Sequence, residues 1–212
     1  MNWTRLPLGP LQTNGYLLDD GENAVMIDPG GDVDRINEAL NKKDLTLKEI
    51  WLTHAHFDHI GALEELRNDW SAEVYIHAEE AQWLEKPELN GSGLFPGIEP
   101  VSARPAECTF PDEGTFTSAG FKCELFYTPG HSPGSVSFYF PEENVVFSGD
   151  VLFRGGIGRT DLPGGDYAAL MASIEAKMLA LPDETEVANG HGPTTTIKDE
   201  KETNPFINSF GW

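Results

Sequence analysis

Cysteine is nearly absent. Cys108 and Cys123 are the only two in 212 residues, too few for a disulfide framework, and both read as reduced thiols of the kind kept in a cytoplasmic protein. Basic residues are scarce as well: 14 Lys and Arg stand against 35 Asp and Glu, a formal net charge of −21. That balance argues against nucleic acid, whose phosphates are bound through clustered Lys and Arg, and equally against an anionic membrane surface. No stretch approaches the roughly 18 apolar residues of a spanning helix. The opening Met1-Asn2-Trp3-Thr4-Arg5-Leu6 lacks the basic segment and apolar run of a secretory leader. The expectation is a cytoplasmic protein without nucleic-acid or membrane partners, of unspecified oligomeric state. What the chain does have is 39% hydrophobic and 10% aromatic residues, enough for a substantial core in one domain over residues 1–212.

The opening alternates strands and turns. Gly15 to Asp19 and Ala24 to Asp28 are short apolar runs separated by Asp20-Gly21-Glu22-Asn23. Asp28-Pro29-Gly30-Gly31 breaks the second run. Residues 32–43 follow with Val33, Ile36, Ala39 and Leu40 at helical spacing. Ile50-Trp51-Leu52 reads as a buried strand, 60–69 as a helix, Glu73 to His77 as a strand and the next residues to Glu85 as a short helix. Residues 86–105 carry four Pro and three Gly without periodicity; they read as a long loop, either disordered or walling a groove with Phe95 at its tip. Strands return at Phe121 to Tyr127, Gly134 to Phe140 and Asn144 to Ser148. A helix over 166–180 places Tyr167, Leu170, Ile174 and Met178 on one apolar face. Glu186 to Ala188 is a last short strand before a Thr-rich turn and a polar helix. Two halves, each β-rich then α, suggest two packed sheets with helices outside.

Three of the six histidines fall within Thr53-His54-Ala55-His56-Phe57-Asp58-His59. Imidazole and carboxylate are the usual ligands of zinc and non-haem iron. In an extended turn alternate residues point the same way, so His54 and His56 can grip one ion while Asp58 and His59 turn toward a second. His131, in Thr128-Pro129-Gly130-His131, and His191, in Asn189-Gly190-His191-Gly192, each follow a strand. Asp150 ends another apolar strand, where a carboxylate can bridge two metals. His77, at the end of Val74-Tyr75-Ile76, reads as structural.

The ordered set His-x-His-x-Asp-His, His131, Asp150 and His191 resembles the metallo-β-lactamase superfamily over residues 12–193. The resemblance implies an α/β fold, the αββα four-layer sandwich, with a metal site at one edge. It implies that His54, His56 and His131 hold a first metal, that Asp58, His59 and His191 hold a second, and that Asp150 bridges them. The ions would be two divalent cations, zinc foremost, with iron or manganese also suited to mixed His/Asp donors.

Within the superfamily, two-zinc β-lactamases generally place cysteine in the second site. Here Asp150 and His59 stand instead, so antibiotic hydrolysis is not the expected activity. Gly149 to Gly165 resembles the glyoxalase II group, the hydroxyacylglutathione hydrolases, and particularly their short form, as do Thr195-Thr196-Ile197 and Thr203-Asn204-Pro205-Phe206. That group implies a dinuclear metallohydrolase cleaving S-(2-hydroxyacyl)glutathione or a related small thioester by attack of metal-bound hydroxide, with Asp58 and Asp150 as its catalytic carboxylates. No separate C-terminal helical substrate domain is expected here. Lys198 and Lys201 are the only basic residues after His191, which leaves the thiol carrier open. Arg154 and Arg159 are candidate substrate contacts, although an ion pair with Asp161 is the favoured role for Arg159. Persulfide dioxygenases, which bind one iron and share a Gly-Arg-Thr-Asp segment like residues 158–161, are the alternative. A metal-binding regulatory module is the third possibility.

Overall fold

The computed structural model describes residues 1–111 and 113–208. They form two compact units, one holding residues 1–111 and 117–121, the other the remaining described residues. Each unit has its own six-stranded sheet.

The first sheet runs β1 (Asn2–Leu8), β2 (Thr13–Asp19), β3 (Asn23–Ile27), β4 (Thr46–Trp51), β5 (Glu73–Ile76) and β6 (Cys108–Thr109), in that spatial order. β1, β2 and β3 pair antiparallel; from β3 to β6 the pairing is parallel. β2 is buried at every position, and the short loops on either side fix its register, Leu8 opposite Thr13 and Tyr16 opposite Ile27. Helix α1 (Val33–Lys42) buries Ile36 and Leu40, and α2 (Leu63–Trp70) buries Leu63 and Leu66. These pack with Leu8, Leu17, Met26, Ile50 and Val74 in one core. Because β3, β4 and β5 run the same way, Asp28, the His54 segment and His77 all emerge from one edge of the sheet. Ligands bind at this carboxyl edge in open α/β sheets.

Residues 86–105 are not a structureless loop. They contain α3 (Pro87–Asn90) and a 3₁₀ turn over Ser92–Leu94. The fully buried Asn90 amide pins them, donating to the carbonyls of Trp83 and Val101 and accepting from the Ser92 amide and hydroxyl.

The second sheet contains β7 (Gly114–Ser118), β8 (Phe121–Tyr127), β9 (Val136–Phe140), β10 (Val145–Gly149), β13 (Glu186–Asn189) and β14 (Thr195–Thr196), in the order β14-β13-β10-β9-β8-β7. A small ribbon, β11 (Leu152–Phe153) with β12 (Gly156–Ile157), follows β10. β8 and β10 are both antiparallel to β9, so they share a direction, and β13 is parallel to β10. Residues 128–131, 150 and 190–191 therefore leave the sheet at a single edge. The helix expected over 166–180 is α-helical only at α4 (Tyr167–Ser173) and widens to a π-helical turn over Ile174–Met178. Leu170, Ile174 and Met178 are buried against Val146 and Val187, but Tyr167 is 54% exposed and not on the apolar face. Asp166 caps this helix, accepting from the Ala169 amide. α5 (Ile197–Thr203) is the polar helix that follows β14.

Candidate metal centre

Past β4 the chain stays extended through His56 and then turns once as a 3₁₀ helix over Phe57–His59. His54, His56 and His59 are buried, at 1%, 4% and 0% exposure. Their rings crowd together, with centroids 4.8 Å apart for His54 and His56 and 4.1 Å for His54 and His59. Three imidazoles taken out of water are costly unless each has a partner of fixed polarity.

A hydrogen-bond relay centred on Asp28 supplies that polarity for His54 and His59. Asp28 Oδ1 accepts from the Thr53 amide at 2.8 Å, and Oδ2 accepts from the Thr53 hydroxyl at 2.6 Å and from His59 Nδ1 at 2.9 Å. The Thr53 hydroxyl spends its one hydrogen on Asp28, so it accepts from His54 Nδ1, 3.0 Å away. In the neutral form both rings therefore carry their proton on Nδ1, which leaves the lone pair on Nε2. Outer hydrogen bonds orient metal-binding histidines in this way. Asp28 has a left-handed backbone, φ 50°, which aspartate tolerates better than most residues. Glu80, fully buried, accepts from the Ala55 amide at 2.6 Å and fixes the turn between His54 and His56. Thr13 donates to Asp58 Oδ2 at 2.7 Å, and that oxygen lies 3.7 Å from His59 Nε2. A Cβ on Gly30 would run into the Asp58 carbonyl oxygen, and one on Gly61 into the Gly30 carbonyl oxygen. Glycine at both positions lets the Gly30 backbone lie directly against the Asp58–Gly61 turn.

The second unit presents a set of its own. His131 Nε2 and His191 Nε2 stand 3.5 and 3.4 Å from the same oxygen, Asp150 Oδ2. His131 Nδ1 lies 2.8 Å from the Arg159 carbonyl oxygen. A carbonyl only accepts, so this ring too has its proton on Nδ1. Two donors at about 2.0–2.1 Å from one tetrahedral ion sit about 3.3 Å apart. The spacings around Asp150 Oδ2 match that value and exceed an ordinary hydrogen bond.

Other expected residues fall elsewhere. Arg159 is held by Asp161 through two bonds of 2.7 and 2.8 Å, the ion pair favoured from sequence. This guanidinium holds the exposed Asp161 carboxyl down at about 2. Arg154 is exposed in the turn between β11 and β12. His77 caps the 3₁₀ helix Ala78–Glu85, accepting from the Glu79 amide at 3.3 Å. Neither cysteine is in a disulfide. Thr13, Asp28, Thr53 and Glu80 were not singled out from sequence. Of these, only Asp28 had a visible signal, an acid at the end of an apolar strand, and Pro29-Gly30-Gly31 drew the reading to chain reversal instead.

The metallo-beta-lactamase superfamily model matches residues 8–191. The chain belongs to that superfamily. A probable metallo-hydrolase of Bacillus subtilis, YqgX, is 50% identical over 99% of each chain. Hydroxyacylglutathione hydrolase GloC of Haemophilus influenzae is 41% identical over the same shares. Among solved structures, the BLEG-1 B3 metallo-beta-lactamase aligns with a TM-score of 0.94 at 50% identity, covering 98% of this chain and 100% of its own. TTHA1623 in a di-iron-bound form aligns at 0.81 and 43% identity over 96% and 99%. ETHE1 from Myxococcus xanthus aligns at 0.77 and 30% identity over 98% and 84%. This metallo-beta-lactamase superfamily member thus has the metallo-β-lactamase fold expected from its histidine pattern. Its superfamily consists generally of hydrolytic metalloenzymes that bind divalent metals, and its His/Asp groups are of the kind that hold them.

Proposed function

We propose that the protein is a dinuclear metal-dependent thioester hydrolase acting on S-(2-hydroxyacyl)glutathione or a related small thiol conjugate. The observation that carries the reading is a His/Asp donor set in each unit, with hydrogen-bonded Nδ1 atoms, in a chain 41% identical to a named hydroxyacylglutathione hydrolase. In this reading His54, His56 and His131 hold one ion, Asp58, His59 and His191 the other, and Asp150 bridges. Divalent ions in such a site supply a nucleophile from water near neutral pH and polarise a carbonyl. The protein's own part is positional. Asp28 keeps Nε2 of His59 available directly and that of His54 through Thr53; Thr13 orients the Asp58 carboxylate; the Arg159 carbonyl orients His131. Zinc is the first candidate, and the di-iron-bound relative makes iron the next.

The test pairs elemental analysis with an anaerobic thioester assay. Two metals per chain and oxygen-independent hydrolysis are expected. One iron per chain with obligatory oxygen uptake would transfer the assignment to a persulfide dioxygenase. Asp58→Ala is expected to lose the second ion and most hydrolysis with an unchanged far-ultraviolet spectrum; full turnover in that variant would establish a one-metal reaction.

A second reading, β-lactam hydrolysis, is favoured by one observation, the 50% identity to the BLEG-1 B3 metallo-beta-lactamase. It stands against the sequence-based expectation drawn from the absence of a cysteine ligand. A chromogenic cephalosporin assayed beside the thioester ranks the two activities.

A further inference from the structure

Beside Asp58, within the first unit, lies a cavity of about 440 Å³. Its walls are Leu8, Leu11, Phe57, Ile98 and Val101, with Gly30, Gly31 and Gly61 among the lining backbone. The volume falls within the roughly 300–1,000 Å³ of pockets that bury a small-molecule ligand. Among the described residues, its charged lining is two acids, Asp58 and Glu99. The turn that carries Leu11 is set in place beforehand: the Gly9 amide donates to Asp32 at 2.9 Å, and Gln12 bonds the Gly9 carbonyl through both its amide and its side chain. Opposite it, the buried Asn90 amide anchors the segment leading to Val101.

We propose that this cavity receives the acyl group of the thioester and selects an apolar chain of several carbons over lactoyl. The inference rests on the thioesterase reading above. Three observations point to the acyl group rather than the thiol carrier. Asp58, one of the candidate donor residues, lines the cavity, which places its occupant beside that donor set. Its side-chain lining is mainly apolar, which favours methylene groups over the polar hydroxyl of a lactoyl group. Glu99, which also lines it, is negative and disfavours the carboxylates of glutathione and any phosphate-bearing carrier. A lactoyl group would leave most of the space unfilled.

The experiment uses the metal-loaded protein and a set of N-acetylcysteamine thioesters sharing one neutral leaving group: lactoyl, acetyl, butyryl and hexanoyl. Each added methylene is expected to raise kcat/KM by about fourfold until the cavity fills. Leu11→Glu, at a position already 50% exposed, is expected to abolish that slope. Equal turnover across the set, or preference for lactoyl, would overturn the inference while leaving the thioesterase reading intact. Should no thioester be hydrolysed, calorimetric titration still decides: hexanamide is expected to bind measurably more tightly than lactamide in wild type and not in Leu11→Glu. Equal or absent binding of both amides would overturn the inference independently of activity.

Discussion

At Asp28 a single carboxylate settles the tautomers of two histidines twenty-six and thirty-one positions away in sequence. Asp28→Asn replaces Oδ2 by an amide nitrogen that cannot accept from either the Thr53 hydroxyl or His59. Metal affinity is expected to fall by about 10–100-fold, read by competition against a chromophoric chelator. The candidate donor types were legible in the sequence because imidazole and carboxylate recur at close spacing. Their supports were not: Thr13, Asp28 and Glu80 act through folded distance, and their residue types are ordinary where they stand. Arg159 and Asp161, two positions apart, were legible as an ion pair. Against an ordinary carboxyl value near 3.9, Asp161 is held at about 2, first by its hydrogen bonds to Arg159. A lowered folded value means that any stabilisation from the pair is complete above about pH 4 and disappears as pH falls through about 2. The carboxyl-carbon NMR titration of Asp161 is expected to have its midpoint near 2 and to return toward about 4 in Arg159→Ala.

Most strands and helices were readable from apolar runs bounded by Gly, Pro and Asp. β1 was not, because Asn2-Trp3-Thr4-Arg5-Leu6-Pro7-Leu8 alternates poorly and contains proline. Its place at the sheet edge explains how Pro7 is tolerated. β6, β11, β12 and β14 are two residues each, too short for any period to emerge. The π-helical widening after Ser173 also escaped, since periodicity assumes the α repeat. The β11–β12 ribbon owes its position to α5, whose buried Glu200 accepts from the Gly155 amide at 2.9 Å, the Thr195 hydroxyl at 2.6 Å and the Asn204 amide at 2.7 Å. Glu200→Ala strands these donors, at about 1–3 kcal/mol for each that stays dry. Urea unfolding is expected to show a net loss of about 2–4 kcal/mol, and the ribbon amides to exchange faster than those of β10.

Across the whole molecule, a charge of −21 is a standing repulsion that the fold must overcome. Divalent ions bound only by the folded chain relieve it locally and stabilise by mass action. Chelation is therefore expected to lower the calorimetric Tm, and sodium chloride to restore part of the loss. Raising ionic strength to about 0.15 M shortens the Debye length to about 8 Å. A chelated protein indifferent to salt would show that self-repulsion has no measurable share in its stability. The composition gave the charge and the histidine pattern gave the family resemblance, but the pairing order of the two sheets needed coordinates, because periodicity reports faces and not neighbours.

The stacked backbones at Gly30 and Gly61 carry a consequence for inheritance. Any missense change at either codon adds a carbon against a carbonyl oxygen, that of Asp58 or of Gly30, and disturbs the backbone at Asp58 without altering any of the candidate donors. Gene variants at these two codons should be purged as strictly as those at the histidines, although neither glycine owns an atom that chemistry uses.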